Sequence, residues 1–197
     1  MRDKKWLLNN LRRGEVDEKG FDKNIVLVGM PGAGKTYIGE KLAKLLVHFN
    51  YIDTDKKIEE QTELSIPEIF EKYSESYFRE LESKLIQEIS QNKSQIISIG
   101  GGAFERDENI EFLKQNGITF YLKSSIGELF DRIKEEEHRP LLAQNFSPKI
   151  LEDMLKKREK NYLKSDFIID TDKKQAYTIL NDILGEYENY VRQRIGC

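Results

Sequence analysis

Residues 29–36, GMPGAGKT, combine residue types that together can hold a phosphate chain. They fit the pattern G-x-x-x-x-G-K-[ST], in which glycines let backbone N–H groups curl around phosphate oxygens. In this pattern Lys35 reaches the β- and γ-phosphates, and the Thr36 hydroxyl is a ligand for Mg²⁺. An accidental glycine-rich turn would not explain the complete pattern between a predicted strand and a predicted helix. The stretch therefore predicts a binding site for a nucleoside triphosphate.

Two aspartates follow in the stretch NYIDTDKK, at Asp53 and Asp55. At the end of one strand their side chains would leave on the same side, because side chains alternate along an extended chain. Two carboxylates held so close repel each other, so solvent, a cation or a basic ligand must compensate. A solvated turn would explain a lone D-x-D. Beside a phosphate loop, the pair predicts that Asp53 faces Mg²⁺ and Asp55 faces the hydroxyl that accepts the phosphoryl group.

Later segments carry residue types that suit a small anionic acceptor. Arg79 and Glu82 in YFRELESKL are three apart and therefore neighbours on a helix, although a solvated ion pair would have the same spacing. Arg158 and Tyr162 in KREKNYL also stand at helical spacing. Two arginines favour an anionic acceptor, because the guanidinium fork matches a carboxylate bidentately.

Two further segments indicate contact with a ligand. Residues 100–102, GGG, follow the third predicted strand, where ligands gather in open α/β sheets. Three consecutive glycines cost chain entropy, which favours close approach of the backbone to a ligand over a plain turn. In EEEHRPLL, residues 135–142, Arg139 follows Arg132 in a polar segment without a strand pattern. That segment is either a lid that delivers arginine to the transferring phosphate or a charged surface loop.

The elements that must position these residues follow from the hydrophobic pattern. Short β-rich runs predict five strands, at residues 25–29, 51–53, 96–100, 118–122 and 167–170. Apolar residues at helical spacing predict helices between them, and Ser65 with Glu68 forms a capping-box pattern at one helix start. Strands that alternate with helices imply a mostly parallel sheet covered on both faces.

Length and composition limit the class of protein. A chain of 197 residues suits one domain, and a net charge of −3 gives no footprint of nucleic-acid binding. The single cysteine, Cys197, cannot form an internal disulfide bond and favours a reducing compartment. No apolar stretch approaches the roughly 18 residues of a membrane helix. We therefore expect a cytoplasmic protein with no membrane or nucleic-acid partner.

Residues 1–23 precede the first predicted strand. Their apolar patch, WLL, is too short for a signal peptide. We expect an N-terminal arm or docked helix there, followed by a single domain over residues 24–197.

In their order and spacing, these motifs resemble those of the shikimate kinase family. The shared motifs are GMPGAGKT, the D-T-D after a strand, FRELE, GGG, RPLL and R-x-x-x-Y, within roughly residues 24–185. The resemblance implies a P-loop, nucleoside-monophosphate-kinase-like three-layer α/β fold, with a five-stranded parallel sheet of order 2-3-1-4-5, helices on both faces and a mobile lid. It also implies that ATP phosphorylates the 3-hydroxyl of shikimate, giving shikimate 3-phosphate and ADP, a step toward chorismate and the aromatic amino acids.

The resemblance assigns roles on the nucleotide side of the site. The residues expected to bind nucleotide are Gly32, Ala33, Gly34, Lys35, Thr36, Tyr37, Arg132, Arg139 and Lys173. Thr36 and Asp53 are expected to hold Mg²⁺, the aspartate through water. Arg139 would belong to a lid at about residues 132–147 and meet the β- and γ-phosphates. Arg132 and Lys173 would lie near the adenine.

On the acceptor side, the resemblance implies a binding region at about residues 54–82. The residues expected to bind shikimate are Asp55, Arg79, Gly101, Gly102 and Arg158. The two arginines would grip the carboxylate, Asp55 would bond the ring hydroxyls, and the glycine backbone would seat the ring. The expected catalytic residues are Lys35, Asp55 and Arg139. Because phosphoryl transfer needs positioning and charge stabilisation more than a strong base, Asp55 should mainly orient the accepting hydroxyl.

The chain departs from the family pattern at three places. Tyr37 stands where Ser or Thr is usual after the metal ligand, which puts one phosphate contact in doubt. The turn before Asp53 is one residue longer, and residues 1–23 have no counterpart in short bacterial forms. None of these departures removes a catalytic group, and we expect a monomer.

Two alternatives stay open at this point. A different small-molecule kinase of the same fold, such as a gluconate kinase, would share the phosphate loop and the early carboxylates. It would not need two arginines for a ring carboxylate together with the GGG. A non-catalytic nucleotide-binding regulator would be favoured by loss of Lys35, Asp53 or Asp55, and all three are present.

Overall fold

The computed structural model describes residues 22–135 and 147–195, in which five strands alternate with helices. The strands are β1 (Asn24–Val28), β2 (Asn50–Asp53), β3 (Gln95–Ser98), β4 (Gly117–Lys123) and β5 (Phe167–Asp170). The helices up to β3 are α1 (Lys35–Leu45), α2 (Thr54–Thr62), α3 (Ile66–Lys72) and α4 (Glu75–Ile89). Those after β3 are α5 (Asp107–Asn116), α6 (Ile126–Glu135), α7 (Pro148–Tyr162) and α8 (Ala176–Ile195), with a short 3₁₀ turn at Ala103–Glu105.

The five strands form one parallel sheet of order β2-β3-β1-β4-β5. In the central strand, Ile25 is in register with Ile96 of β3 on one side and Ile118 of β4 on the other. The predicted parallel sheet and its order 2-3-1-4-5 are therefore confirmed. The third strand ends earlier than predicted, at Ser98, and the Gly100 amide leaves the sheet to donate to the Thr54 hydroxyl at 3.0 Å.

The core lies on both faces of the central strand. Ile25, Val26, Leu27 and Val28 are consecutive and all 0% exposed. Because side chains alternate between the two faces of a sheet, four buried neighbours require layers on both faces. The helices supply these layers, with α1 packed against α8 and α4 against α5.

Local signals explain where several helices begin. The Ser65 amide donates to the Glu68 carboxylate at 2.8 Å at the start of α3, as the capping-box pattern predicts. At α4, the Ser74 hydroxyl accepts from the Tyr77 amide at 3.1 Å, and Phe78 and Leu85 then face the core. Helix α4 therefore has a fixed start and a buried face, and together these determine where its polar side chains point.

The predicted domain limits are only partly covered by the described residues. Next to β1, the Asp22 carbonyl accepts from the Ser94 amide at 2.7 Å, and Lys23 Nζ donates to the Gln115 carbonyl at 2.9 Å. The rest of the predicted N-terminal extension, and residues 136–146 of the predicted lid, lie outside the described residues. Both assignments stay predictions. Within the described ranges, no helix combines the length and apolar character that crossing a membrane requires.

We predict that Asn24→Ala destabilises the fold by about 1–3 kcal/mol, because a buried amide then loses its acceptor. The Asn24 side chain is 1% exposed, accepts from the Gln95 amide at 3.0 Å and donates to the Asn92 carbonyl at 2.8 Å. Urea unfolding monitored by circular dichroism measures the change. Asn92→Ala is the matched control, since it removes an exposed amide side chain but keeps the backbone acceptor. Equal unfolding free energies for the two variants would contradict the prediction.

Candidate active site

The phosphate loop connects β1 to α1 and is closed by the lysine at its end. Lys35 Nζ donates to the carbonyl groups of Gly29 and Met30 at 2.9 and 3.0 Å, so its charge lies over the loop. Gly34 precedes α1 with φ of 86°, in the left-handed region that glycine favours. A Cβ atom on Gly32 would lie 2.7 Å from Ile133 Cγ1, so the loop packs tightly on α6. A lysine and a helix N-terminus around a glycine loop suit a phosphate anion.

Oxygen donors of the type that Mg²⁺ prefers lie next to this loop. Thr36 Oγ1 donates to Asp53 Oδ2 at 2.8 Å, which joins the start of α1 to the end of β2. The Tyr51 hydroxyl lies 3.4 Å from Asp53 Oδ2 and 3.3 Å from Ser98 Oγ. Burial raises the pKa of Tyr51 to about 12, against the opposing effect of its hydrogen bond to Ser98. The tyrosine therefore stays a neutral donor at physiological pH.

The two aspartates occupy different elements. Asp53 ends β2 and caps α2, where its Oδ1 accepts from the Asp55 and Lys56 amides at 3.2 and 3.4 Å. Asp55 already belongs to the first turn of α2, so the expectation that both side chains leave one strand on the same side is wrong. The helical turn that starts at Thr54 separates them instead. Asp53 meets Thr36, and Asp55 points to residues 100–102, the glycine loop.

Gly100 allows two carboxylates to lie against the backbone. A Cβ atom at this position would be 2.6 Å from Asp55 Oδ1 and equally 2.6 Å from Glu82 Oε1. Both distances are shorter than real side chains permit, so any side chain at Gly100 would displace the two carboxylates. The Gly100 amide is held by the buried Thr54 hydroxyl at 3.0 Å. The groups that approach Gly100 closely are therefore the side chains of Asp55 and Glu82.

The next two glycines receive the two arginines. A Cβ atom on Gly102 would lie 2.4 Å from Arg79 Nη2, and one on Gly101 would lie 3.4 Å from Arg158 Nη1. Helices that are far apart in sequence, α4 and α7, thus bring their guanidinium groups to neighbouring residues. The residues predicted to bind the acceptor are brought together around this loop, whereas contact of its backbone with a ligand stays a prediction.

Arg79 is oriented by two carboxylates on its own helix. It donates to Glu82 Oε2 at 2.8 Å and to Glu75 Oε1 at 3.1 Å. The Glu82 side chain is completely buried, and its Oε1 has no hydrogen-bond partner among the residues that the structure describes. Burial raises the pKa of Glu82, while the charge of Arg79 opposes this shift and that of Asp55 adds to it. The predicted Arg79–Glu82 pair is therefore a buried contact rather than a solvated one.

Arg158 is oriented by a carboxylate on another element. Its Nε donates at 2.7 Å to Glu105 Oε1, and its side chain is only 14% exposed. Glu105 ends the 3₁₀ turn that follows the glycine loop, and its carbonyl accepts from Asn161 Nδ2 at 3.1 Å. Helix α7 thus contacts the segment after the GGG through two side chains, which fixes the guanidinium group beside Gly101.

The residues predicted near the adenine lie on the other side of the phosphate loop. Arg132 on α6 donates to Ser124 Oγ at 3.2 Å and to the Thr171 carbonyl at 3.1 Å. Exposed Lys173 follows two residues after Thr171, in a turn with φ of 53°. These contacts bring the two predicted cations to the same end of the sheet. Arg139 lies outside the described residues.

Two other residues of the predicted nucleotide site are placed by the loop and α1. Ala33 is buried, and its amide donates to the Met30 carbonyl at 3.1 Å. Tyr37 is 56% exposed, with Lys41 Nζ 4.6 Å from its ring centroid. The aromatic side chain therefore points to solvent from the first turn of α1, and its expected effect on phosphate binding stays a prediction.

Several site residues escaped the sequence analysis. Glu105 belongs to no motif and meets its arginine 53 positions away, and Tyr51, although it lies in the stretch NYIDTDKK, receives no role from the sequence. Thr54, between the two aspartates, is 0% exposed, which marks it as structural rather than as part of a solvated turn. Glu75 stands four residues before Arg79, a helical spacing that could have revealed the pair.

Comparisons with known proteins decide which family this site belongs to. The family model for shikimate kinase matches residues 31–188. The shikimate kinase of Thermodesulfovibrio yellowstonii is 42% identical over 166 residues, which cover 84% of this chain and 95% of that protein. The chain belongs to the shikimate kinase family. The predicted family and class of enzyme are thereby confirmed, and a non-catalytic regulator is no longer an alternative.

Solved structures agree with the family assignment. The structure of shikimate kinase from Acinetobacter baumannii in complex with shikimate has a TM-score of 0.80 and 36% identity, covering 87% of this chain and 96% of that one. A gluconokinase from Sinorhizobium meliloti has a TM-score of 0.60 at 14% identity, covering 89% and 97%. The second likeness shows a shared fold alone, so the shikimate kinase family is separated from the gluconate kinase alternative by sequence as well as structure.

We predict that Glu82→Gln changes how stability depends on pH. The folded-state pKa of Glu82 is raised above its ordinary 4.5, so the folded chain binds a proton that the unfolded chain releases more easily. Stability associated with this carboxyl is fully present below its ordinary pKa and is lost as pH rises through the raised value. The wild type should therefore lose unfolding free energy relative to Glu82→Gln as the pH rises above the ordinary pKa of 4.5 and through the raised one.

Urea unfolding at a series of pH values measures this difference. Glu71→Gln, which removes an exposed carboxylate from α3, controls for the change in net charge. A difference between wild type and Glu82→Gln that is constant across the range would refute the assigned direction of the shift.

Proposed function

We propose that this chain transfers the γ-phosphoryl group of ATP to the 3-hydroxyl of shikimate, through the residues that meet at the phosphate loop and at residues 100–102. Membership of the shikimate kinase family supports the reaction. The observation that carries the residue roles is the convergence of Asp55, Arg79 and Arg158 on three consecutive glycines. A cyclic acid with several hydroxyls needs cations for its carboxylate and an acceptor for its hydroxyls, and this arrangement offers both.

The two arginines are suited to hold the shikimate carboxylate. Their side chains are 18% and 14% exposed, so an anion bound there would meet cations that water screens only partly. Each guanidinium group is already oriented by a carboxylate, Arg79 by Glu82 and Arg158 by Glu105. Oriented forks bind a carboxylate with less loss of side-chain entropy than flexible ones.

Thr36 and Asp53 suit Mg²⁺. A hydroxyl and a carboxylate oxygen 2.8 Å apart are hard donors beside a phosphate loop. The described residues contain no group of three or more His, Cys, Asp or Glu side chains that could hold a metal, and Mg²⁺ on a nucleotide needs only one or two protein ligands besides phosphates and water. When bound, the ion neutralises charge that develops on the phosphates.

The protein groups act mainly by position. Lys35 would turn from the loop carbonyls to the β- and γ-phosphates of bound ATP, with its charge already at the loop. Asp55 would accept a hydrogen bond from the 3-hydroxyl and aim its oxygen at the γ-phosphate. Arg139 would add charge stabilisation to the phosphoryl group as it transfers. Gly101 and Gly102 would seat the ring, and Arg132 and Lys173 would border the adenine.

The same proposal includes the setting of the enzyme. The proposed setting is a monomer, and the net charge of −3 argues against a nucleic-acid partner. We propose that the enzyme acts in the cytoplasm on ATP and shikimate, without a membrane partner.

The function is tested by ADP release coupled to NADH oxidation, with and without shikimate. We expect Mg-ATP turnover only when shikimate is present, because an acceptor site must exclude water as a competing acceptor. Gluconate in place of shikimate should give no turnover, and Lys35→Met should be inactive with both. ATP turnover at the same rate without shikimate would refute the proposed transfer.

The acceptor grip gives a second prediction. Arg79→Ala and Arg158→Ala should each lose about thirtyfold to a few thousandfold in shikimate affinity, because truncating one partner of a buried charge pair costs about 2–5 kcal/mol. Arg158→Lys should also be impaired, since a point charge cannot replace the fork. The affinity for ATP should change little, because the phosphate loop binds it separately.

Calorimetric titration of shikimate and of ATP into each variant measures both affinities. Arg192→Ala is the control, because Arg192 pairs with Glu188 on α8, away from the glycine loop. Unchanged shikimate affinity in both arginine variants would place the acceptor carboxylate elsewhere.

A further inference from the structure

One buried hydroxyl connects the glycine loop of residues 100–102, which we call the acceptor loop, to the phosphate loop. Tyr162, at the end of α7, is 0% exposed and donates its hydroxyl to the Gly101 carbonyl. The same hydroxyl oxygen lies 3.9 Å from the thioether sulfur of Met30 in the phosphate loop. Burial raises the pKa of Tyr162 above its ordinary value, so the group remains a neutral donor at physiological pH.

Gly101 is also the place where the two loops touch. A Cβ atom on Gly101 would lie 3.1 Å from Pro31 Cδ and 3.4 Å from Arg158 Nη1. The phosphate loop and α7 therefore both contact this residue, and the Tyr162 hydroxyl fixes its carbonyl group. A small movement of Gly101 would shift the acceptor site relative to the phosphate loop.

The tyrosine itself is held rigidly. Its ring packs on Tyr121 of β4 with 5.1 Å between centroids, and Asn161, its neighbour on α7, donates to the Glu105 carbonyl at 3.1 Å. One helical turn earlier, Arg158 bonds Glu105 at 2.7 Å. Helix α7 thus reaches the segment from Gly101 to Glu105 at both ends, and the Tyr162 hydroxyl also reaches Met30 of the phosphate loop.

We propose that Tyr162 is a positioning residue for phosphoryl transfer. Its hydroxyl fixes the position of Gly101 in the acceptor loop relative to Met30 in the phosphate loop. This inference rests on the proposed function. Transfer requires the accepting oxygen to lie in line with the γ-phosphate, and a displacement of about 1 Å from productive geometry can cost about a hundredfold in rate. In this role the hydroxyl acts through Gly101 and Met30 rather than on the reacting atoms.

The test compares Tyr162→Phe with Tyr187→Phe. Tyr187 is an equally buried tyrosine whose hydroxyl donates to a backbone carbonyl, that of Lys23 at 2.9 Å, but it lies at the amino end of β1, away from the site. Both variants keep the aromatic ring and lose the hydroxyl together with its hydrogen bond to a backbone carbonyl. Thermal unfolding, the Kd for ATP, and the kcat and KM for shikimate are measured for each and for wild type.

We expect similar losses of thermal stability in the two variants but different kinetics. Tyr162→Phe should lower kcat by about tenfold to a hundredfold and leave the Kd for ATP within about twofold, because residues 32–36, which are expected to bind the phosphates, are unchanged. Tyr187→Phe should keep the kcat of wild type. Equal kcat values for the two variants would overturn the inference.

The outcomes separate this inference from the proposed function. A wild-type chain that releases no ADP with shikimate would refute the function, whereas an active wild type with indistinguishable tyrosine variants would refute only the role of Tyr162. If Tyr162→Phe does not fold, Met30→Leu removes the sulfur contact at similar volume. A severalfold fall in kcat would then support the connection between the loops, and an unchanged kcat would overturn it.

Discussion

Close packing of charged side chains against the glycine backbone of residues 100–102 determines the arrangement of the site proposed for the acceptor. At Gly100 the space of a Cβ atom is shared by Asp55 and Glu82, and at Gly102 it is filled by the Arg79 guanidinium group. Since protein interiors are packed as densely as organic crystals, no larger residue fits without moving these groups. The three glycines thus set how close Asp55, Glu82 and the two arginines come to one another.

The charges that this packing concentrates are balanced in pairs. Arg79 and Arg158 each have a carboxylate partner within 2.8 Å, and complete burial raises the pKa of Glu82, the partner of Arg79. Burying one charge without a partner is costly, and a partnered guanidinium keeps its fork oriented. The nucleotide side offers backbone N–H groups instead, in the phosphate loop and at a helix N-terminus, because the phosphates are the part common to all nucleoside triphosphates.

Much of the fold could be predicted because its signals are local. The strand segments alternate with helices, and β1 is so continuously apolar that only a doubly covered parallel sheet suits it. The phosphate loop is similarly local, since its eight residues carry the whole pattern. The strand alternation applied to Asp53 and Asp55 gave the wrong directions for their side chains, because the chain becomes helical at Thr54 and the side-chain period changes there.

The sequence by itself determined the residue types, their order and the family they indicate, including Arg79, Arg158 and the GGG. Only the tertiary structure decided which groups meet. Arg158 is oriented by Glu105, 53 residues away, and Tyr162 reaches Gly101 across 61 residues. Such contacts depend on how α7 packs against the rest of the fold, so no local period can encode them. The pairing of the acceptor loop with the phosphate loop is therefore a property of the packed fold.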